Sequence, residues 1–144
     1  MENFLIIICL ILLSVYDVKE RRIPNSLVAS IYLLGLIGLC SGRVSNAEYF
    51  VGLVVLPLIS LALIKITNYK IGMGDVKLIS AIGFCIGFWN QVLAVFVGLL
   101  ICILYLFGRF IKNKEQKFSE TIFLGPFISF GVLFALIIDK IIVK

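Results

Sequence analysis

Five polar breaks divide this chain between Asn3 and Val143 into six stretches that are overwhelmingly apolar. The breaks fall at Asp17–Asn25, Ser41–Asn46, Asn68–Asp75, Asn90–Gln91 and Lys112–Glu120. Apolar stretches of helical length are stable in lipid because a helix satisfies its own backbone donors and acceptors. The pattern predicts an all-α, polytopic membrane protein: one domain over residues 1–144, a bundle of six transmembrane helices surrounded by lipid bilayer. Hydrophobic residues make up 62% of the chain and charged residues 15%, with a mean hydropathy of +1.17. A soluble domain is about half apolar, so a water-soluble globule is excluded.

The first helix is expected from Asn3 to Tyr16, stopping at Asp17. The absence of a basic flank and of a small-x-small cleavage site argues for a retained helix rather than a signal peptide. At ~1.5 Å per residue it falls short of a ~30 Å hydrocarbon layer, which puts Asp17 at or just inside the lipid boundary. Ile23-Pro24-Asn25 breaks the chain, since the residue before proline avoids the helical region. Helix two follows from about Ser26 to Cys40. Helix three runs from about Ala47 to Thr67 with Pro57 inside it, tolerable where a neighbour satisfies the freed carbonyl. Helix four runs from Val76 to about Trp89, with Gly83 and Gly87 as a small-residue packing face. An Asn90-Gln91 turn leads to helix five, ending near Phe110, and helix six runs from about Thr121 to Val143. Trp89 and the tyrosines read as interface anchors.

Loop charge sets orientation. Lys19, Arg21, Arg22, Lys65, Lys70, Lys77, Arg109, Lys112, Lys114 and Lys117 fall on one side, and Arg43, Lys140 and Lys144 on the other. The first group belongs in the cytoplasm, so both termini lie outside. The net charge of +5 is thereby a topology signal, and with no aromatic-basic interleaving a nucleic-acid partner is not indicated.

Chemistry is confined to few residues. The chain has no histidine, which removes Ser-His and Cys-His couples and the His-Glu-x-x-His zinc site. Cys9, Cys40, Cys85 and Cys102 form no Cys-x-x-Cys pair; each sits in an apolar run and reads as a small buried hydrophobe. No metal or organic cofactor is implied. What stands out is Gly72-Met73-Gly74-Asp75, a carboxyl group at the head of an apolar helix, where a buried charge costs ~3 kcal/mol. With helix one running inward and helix four running outward, Asp17 and Asp75 arrive at the cytoplasmic end at similar depth.

Two carboxyls within a few ångström share one proton. The ionised member can take a proton from water while the protonated one polarises a carbonyl, as hydrolysis of a peptide bond requires. Asp75 at a helix N-terminus is favoured as the base, and Asp17 at a C-terminus as the resting proton carrier. The glycines allow a tight turn and close approach of an unwound substrate. Each acid alone has an ordinary structural explanation: Asp75 as an N-cap, Asp17 as an interfacial charge beside Arg21 or Arg22. Gly125-Pro126 reads most simply as a helix kink.

Asp17 with Arg22-Ile23-Pro24-Asn25, followed by Gly72-Met73-Gly74-Asp75-Val76-Lys77-Leu78, resembles the two signature regions of type IV prepilin peptidases, the GxGD-type intramembrane aspartic proteases. The resemblance implies a six-helix catalytic unit with Asp17 and Asp75 as the catalytic pair. It also implies substrate-binding or supporting roles for Gly72, Gly74, Lys77, Arg22, Pro24 and Asn25. Leu124-Gly125-Pro126-Phe127 is similar to a Pro-Phe-Gly-Pro-Phe segment on the family's last helix, with Phe123 in place of the first proline, and extends such a role to Gly125 and Pro126. Longer members carry an N-terminal cytoplasmic region with paired Cys-x-x-Cys and an N-methyltransferase activity. Without those cysteines the expectation is peptidase activity without methylation, in a compact form most like the enzymes of tight-adherence (Flp) pili. The expected partner is a prepilin-like membrane protein with a short basic leader, cut on the cytoplasmic side. Two other classes remain open at this stage: a small ion or proton transporter using the same acids, and a non-catalytic assembly subunit.

Overall fold

A computed structural model describes residues 2–20, 23–42, 46–66, 72–112 and 124–142. They form six helices: α1 (Glu2–Glu20), α2 (Asn25–Cys40), α3 (Asn46–Ile66), α4 (Met73–Ile86), α5 (Phe88–Lys112) and α6 (Leu124–Ile142). No strand occurs among the described residues. Helix α4 is the hub, packing against α2, α3, α5 and α6, while α1 closes against α2 and α6. Almost every residue of α4 from Val76 to Ile86 is buried, which explains why its sequence is apolar all round rather than amphipathic.

Two helices, over Phe88–Arg109 and Leu124–Ile141, are long and apolar enough on their own to cross a membrane, and Asn25–Cys40 and Ala47–Ala62 are shorter apolar helices. Large apolar side chains cover the outside of the bundle: Phe4, Leu33, Leu58, Phe96, Phe107 and Phe130 are all more than half exposed. So much exposed apolar surface fits a lipid environment. Trp89 is exposed, as an interface anchor would be, but Tyr49 is fully buried. Tyr49 packs edge-on against Phe84, and Tyr32 turns inward to donate to Ser80, 2.8 Å away. The tyrosines are therefore not one class.

Local structure departs from the sequence expectation where polar residues were taken for turns. Helix α4 ends at Gly87, whose φ of 81° lies in the region that favours glycine, and α5 begins at the next residue. Asn90 and Gln91 belong to the first turn of α5. The Asn90 side-chain amide donates to the Ile86 carbonyl at 3.2 Å, satisfying an acceptor that the end of α4 leaves free. Gln91, fully buried, donates to the Ile79 carbonyl at 2.7 Å. Both amides hold the hairpin between α4 and α5 closed. Of the two glycines expected to form a packing face, Gly83 does so: a Cβ at facing Gly52 would lie 2.6 Å from its carbonyl oxygen. Gly87 makes the turn instead.

Pro57 lies inside α3 and deprives the Leu53 carbonyl of its helical donor. The Ser80 hydroxyl of α4 donates to that carbonyl at 3.2 Å, so a neighbouring helix meets the need that the proline creates. Gly125 and Pro126 fall in the first turn of the described α6, where a missing N–H costs no helical bond; the expected start of this helix at Thr121 lies outside the described residues. Cys85 and Cys102 are buried as expected, whereas Cys9 is half-buried and Cys40 exposed.

Candidate active site

Along α1, Ile6, Leu10, Leu13 and Asp17 are all buried. Their spacing of four, three and four residues puts them on one helical face. The helix does not stop at Asp17 but continues to Glu20. Asp17, 6% exposed, is therefore the last member of the core stripe and not an interfacial charge. Arg21 and Arg22 lie outside the described residues. A second stripe with the same spacing runs along α4 from half-buried Asp75 through buried Ile79, Ile82 and Ile86. A third runs along α6 from buried Gly125 through Ser129, Val132 and Leu136. Two of the stripes thus end in an acid, and the ends of the first and third meet, Gly125 against Asp17.

The backbone N–H of Gly125 donates to Asp17 Oδ2 at 3.0 Å. This N–H belongs to the first turn of α6 and has no helical acceptor. A side chain at position 125 would run into the Asp17 carboxylate, so the close approach of α6 to α1 requires glycine there. The arrangement also changes the electrostatics expected from sequence. Asp17 sits near the C-terminus of α1 but faces the N-terminus of α6, and the two helix dipoles act on it in opposite senses. Helix ends alone no longer assign the resting proton to Asp17.

Asp75 is the third residue of α4, and Gly72 is the cap, with no side-chain capping bond. The simple N-cap explanation for Asp75 is thereby removed. Gly72 lies alongside the carboxyl, a Cβ there coming 3.3 Å from Oδ2. Asp17 and Asp75, on separate helices, lie within electrostatic reach of each other.

The other expected residues divide between two places. Gly125 and Pro126 are beside Asp17, as described. Pro24 caps α2 in an extended conformation, and its carbonyl accepts from the Leu27 N–H at 3.1 Å. Asn25 begins α2, and its Oδ1 accepts from Lys77 Nζ at 3.2 Å. A Cβ on Gly74 would come 3.3 Å from Ile23, so glycine lets the start of α4 approach the segment before α2. Arg22 lies outside the described residues. Among those residues no three His, Cys, Asp or Glu side chains gather in a group fit for a metal ion. Two residues near the acids were not anticipated. Ser14, three residues before Asp17, donates to Ser129 Oγ at 2.9 Å, and Ser129, four residues after Gly125, donates to the Gly125 carbonyl at 2.8 Å. Helical spacing from the acid and from the glycine was the available signal.

Fold and site together define an all-helical bundle with an apolar exterior, in which two acids from separate helices lie within electrostatic reach of each other. The chain belongs to the Type IV leader peptidase family, whose profile matches residues 4–107. It is also 30% identical over 129 residues to the prepilin leader peptidase/N-methyltransferase of Bacillus subtilis (strain 168). That alignment covers 84% of this chain and 51% of the relative, so the chain spans about half the length of the curated relative it matches. No solved structure matches the chain. Both acids fall within the matched region, whereas α6 with Gly125 and Ser129 lies beyond the family profile.

Proposed function

We propose that this chain is a membrane-embedded aspartic endopeptidase that removes the leader peptide of type IV prepilin-like proteins, those of Flp-type pili being the favoured substrates. The observation that carries the reading is that Asp17, buried against the start of α6, and Asp75, in the first turn of α4, lie within electrostatic reach of each other in a chain of this family. One carboxyl, ionised, takes a proton from water, and the resulting hydroxide equivalent adds to the scissile carbonyl carbon. The other, protonated, gives its proton toward the carbonyl oxygen, and a proton returns to the amine as the C–N bond breaks. Asp17 and Asp75 are the catalytic pair in this reading. Gly72 leaves room for an extended substrate beside the Asp75 carboxyl, Gly74 lets the start of α4 pack against Ile23, and Lys77 and Asn25 brace the segment beside it.

The test is incubation of the detergent-purified protein with a prepilin carrying a short basic leader, read by mass spectrometry. The product is expected to be shorter by the leader alone. A substrate of unchanged mass would overturn the proposal.

In the same reading the six helices form one transmembrane unit with both termini outside and the acids at the cytoplasmic end. The unequal distribution of Lys and Arg supports that orientation. Cys40, exposed at the end of α2, then faces outward. In intact cells a membrane-impermeant maleimide is expected to label Cys40 from outside, with Cys85 and Cys102 protected by burial. Labelling of Cys40 only after the membrane is opened would reverse the topology.

A further inference from the structure

We propose that Ser14 and Ser129 form a hydroxyl clamp between α1 and α6 that fixes the Asp17 carboxyl in its working position, which makes Ser129 a positioning residue of the site. The inference rests on the reading of Asp17 as half of a catalytic pair.

A serine inside a helix ordinarily satisfies its hydroxyl on the carbonyl four residues earlier in its own helix. Both serines lie within reach of that carbonyl, Ser14 of Leu10 at 2.8 Å and Ser129 of Gly125 at 2.8 Å, but each hydroxyl has a single hydrogen to give. With Ser129 donating to the Gly125 carbonyl, Ser14 can donate across the helix interface to Ser129 Oγ, 2.9 Å away, giving up its own back-bond to do so. Ser129 Oγ also lies 3.4 Å from the Leu10 carbonyl, so its hydroxyl reaches the backbone of both helices. The other interhelical hydroxyl chain, Tyr32 to Ser80 to Leu53, answers the carbonyl freed by Pro57. The Ser14–Ser129 contact answers no such need.

Its place in the fold supplies the reason. Ser14 and Asp17 are three residues apart on one face of α1, and Gly125 and Ser129 four apart on one face of α6. The hydroxyl contact and the Gly125 N–H to Asp17 bond are therefore successive rungs between the same two helices. Sliding or rotating α6 against α1 changes both at once. Ser129 is 5% exposed, so a lost hydroxyl would not readily be replaced by water. The lower rung holds the spacing that lets the upper rung fix one carboxyl oxygen, leaving the other to the reaction.

The test is steady-state prepilin cleavage by purified wild type, Ser129→Ala, Ser14→Ala, the double variant and Ser129→Thr, with thermal melts as the measure of folding. Alanine at either position leaves the remaining serine on its own helix's carbonyl, so all variants are expected to fold. Ser129→Ala is expected to lower kcat by about tenfold, as misplacement of a reacting group does, with KM unchanged. Ser129→Thr, whose hydroxyl can make the same back-bond, should recover most of the rate, and the double variant should be no slower than the slower single one. Unchanged kcat in Ser129→Ala, a change confined to KM, or independent multiplication of the two single effects would overturn the clamp. Infrared spectra of protein labelled with 13C-aspartate supply a second readout, with the Asp17 carboxyl band identified by its loss in Asp17→Asn. That band should shift in Ser129→Ala, and an unmoved band would refute the clamp. If wild type leaves prepilin intact, the peptidase reading falls while the infrared comparison still decides the clamp.

Discussion

Asparagine in place of either Asp17 or Asp75 is expected to slow leader removal by at least about 10²–10⁴-fold, the contribution of a positioned general acid or base, with the fold intact. The substitution is nearly isosteric. At position 17 the amide oxygen can still accept the Gly125 N–H, so the joint between α1 and α6 survives. What is lost is the capacity to hold and release a proton. In the proposed mechanism the two acids work on one proton between them, so the double variant should be hardly slower than either single one, as for residues that act as a unit. Asp139, half-buried towards the far end of α6, provides the control: Asp139→Asn should cleave at the wild-type rate. Mass spectrometry of the product against time reads all four variants. Cleavage that survives at either acid would sink the mechanism. A transporter using the same carboxyls would instead tolerate Asp→Glu and show ion-dependent flux.

Gly125→Ala should produce the second largest loss, about 10²-fold in kcat, the scale on which small misplacements of reacting groups are felt. A Cβ at that position would stand 3.0 Å from Asp17 Cγ and 3.2 Å from its Cβ. The Asp17 side chain is short and its backbone is fixed in α1, so it cannot step aside as the tip of a lysine would. Either the carboxyl rotates away from Asp75 or α6 withdraws, and both break the site. Alanine is a better helix former than glycine by roughly 1 kcal/mol, so the variant is expected to lose activity through geometry and not through helix propensity. Gly108→Ala in α5, where the new methyl meets nothing within 4 Å, should keep full activity. Equal rates for Gly125→Ala and wild type would show that the Gly125–Asp17 contact is dispensable.

Asp17 and Asp75 stood out in sequence because acids at the ends of apolar helices are conspicuous. The stripe Ile6-Leu10-Leu13-Asp17 carried further information: its four-three-four spacing marks Asp17 as a buried residue of the core face rather than a charge at the lipid surface. What sequence could not supply was partnership across helices. Nothing near Asp17 in the chain points to Gly125, because that contact depends on how α1 packs against α6. The Asn90-Gln91 turn was misplaced for a related reason. Polar side chains usually mark breaks, but here the two amides serve carbonyls of α4, while Gly87, hidden in an apolar run, takes the conformation that reverses the chain. Pro57 shows the opposite case, in which a local rule demanded a partner and Ser80 of the next helix provided it.

The contact between Gly125 and Asp17 also fixes the depth of α6. A shift of one residue in one direction would offer Asp17 a proline, which has no hydrogen to give. A shift in the other would offer Leu124, whose side chain cannot fit where glycine does. Only one vertical setting of α6 therefore completes the site. Bilayers thicker or thinner than a helix's apolar length are accommodated by tilt and local deformation, and in this bundle any such adjustment of α6 is transmitted to a reacting carboxyl. If Asp17 acts as proposed, turnover is expected to depend on the thickness of the surrounding lipid through a single amide hydrogen.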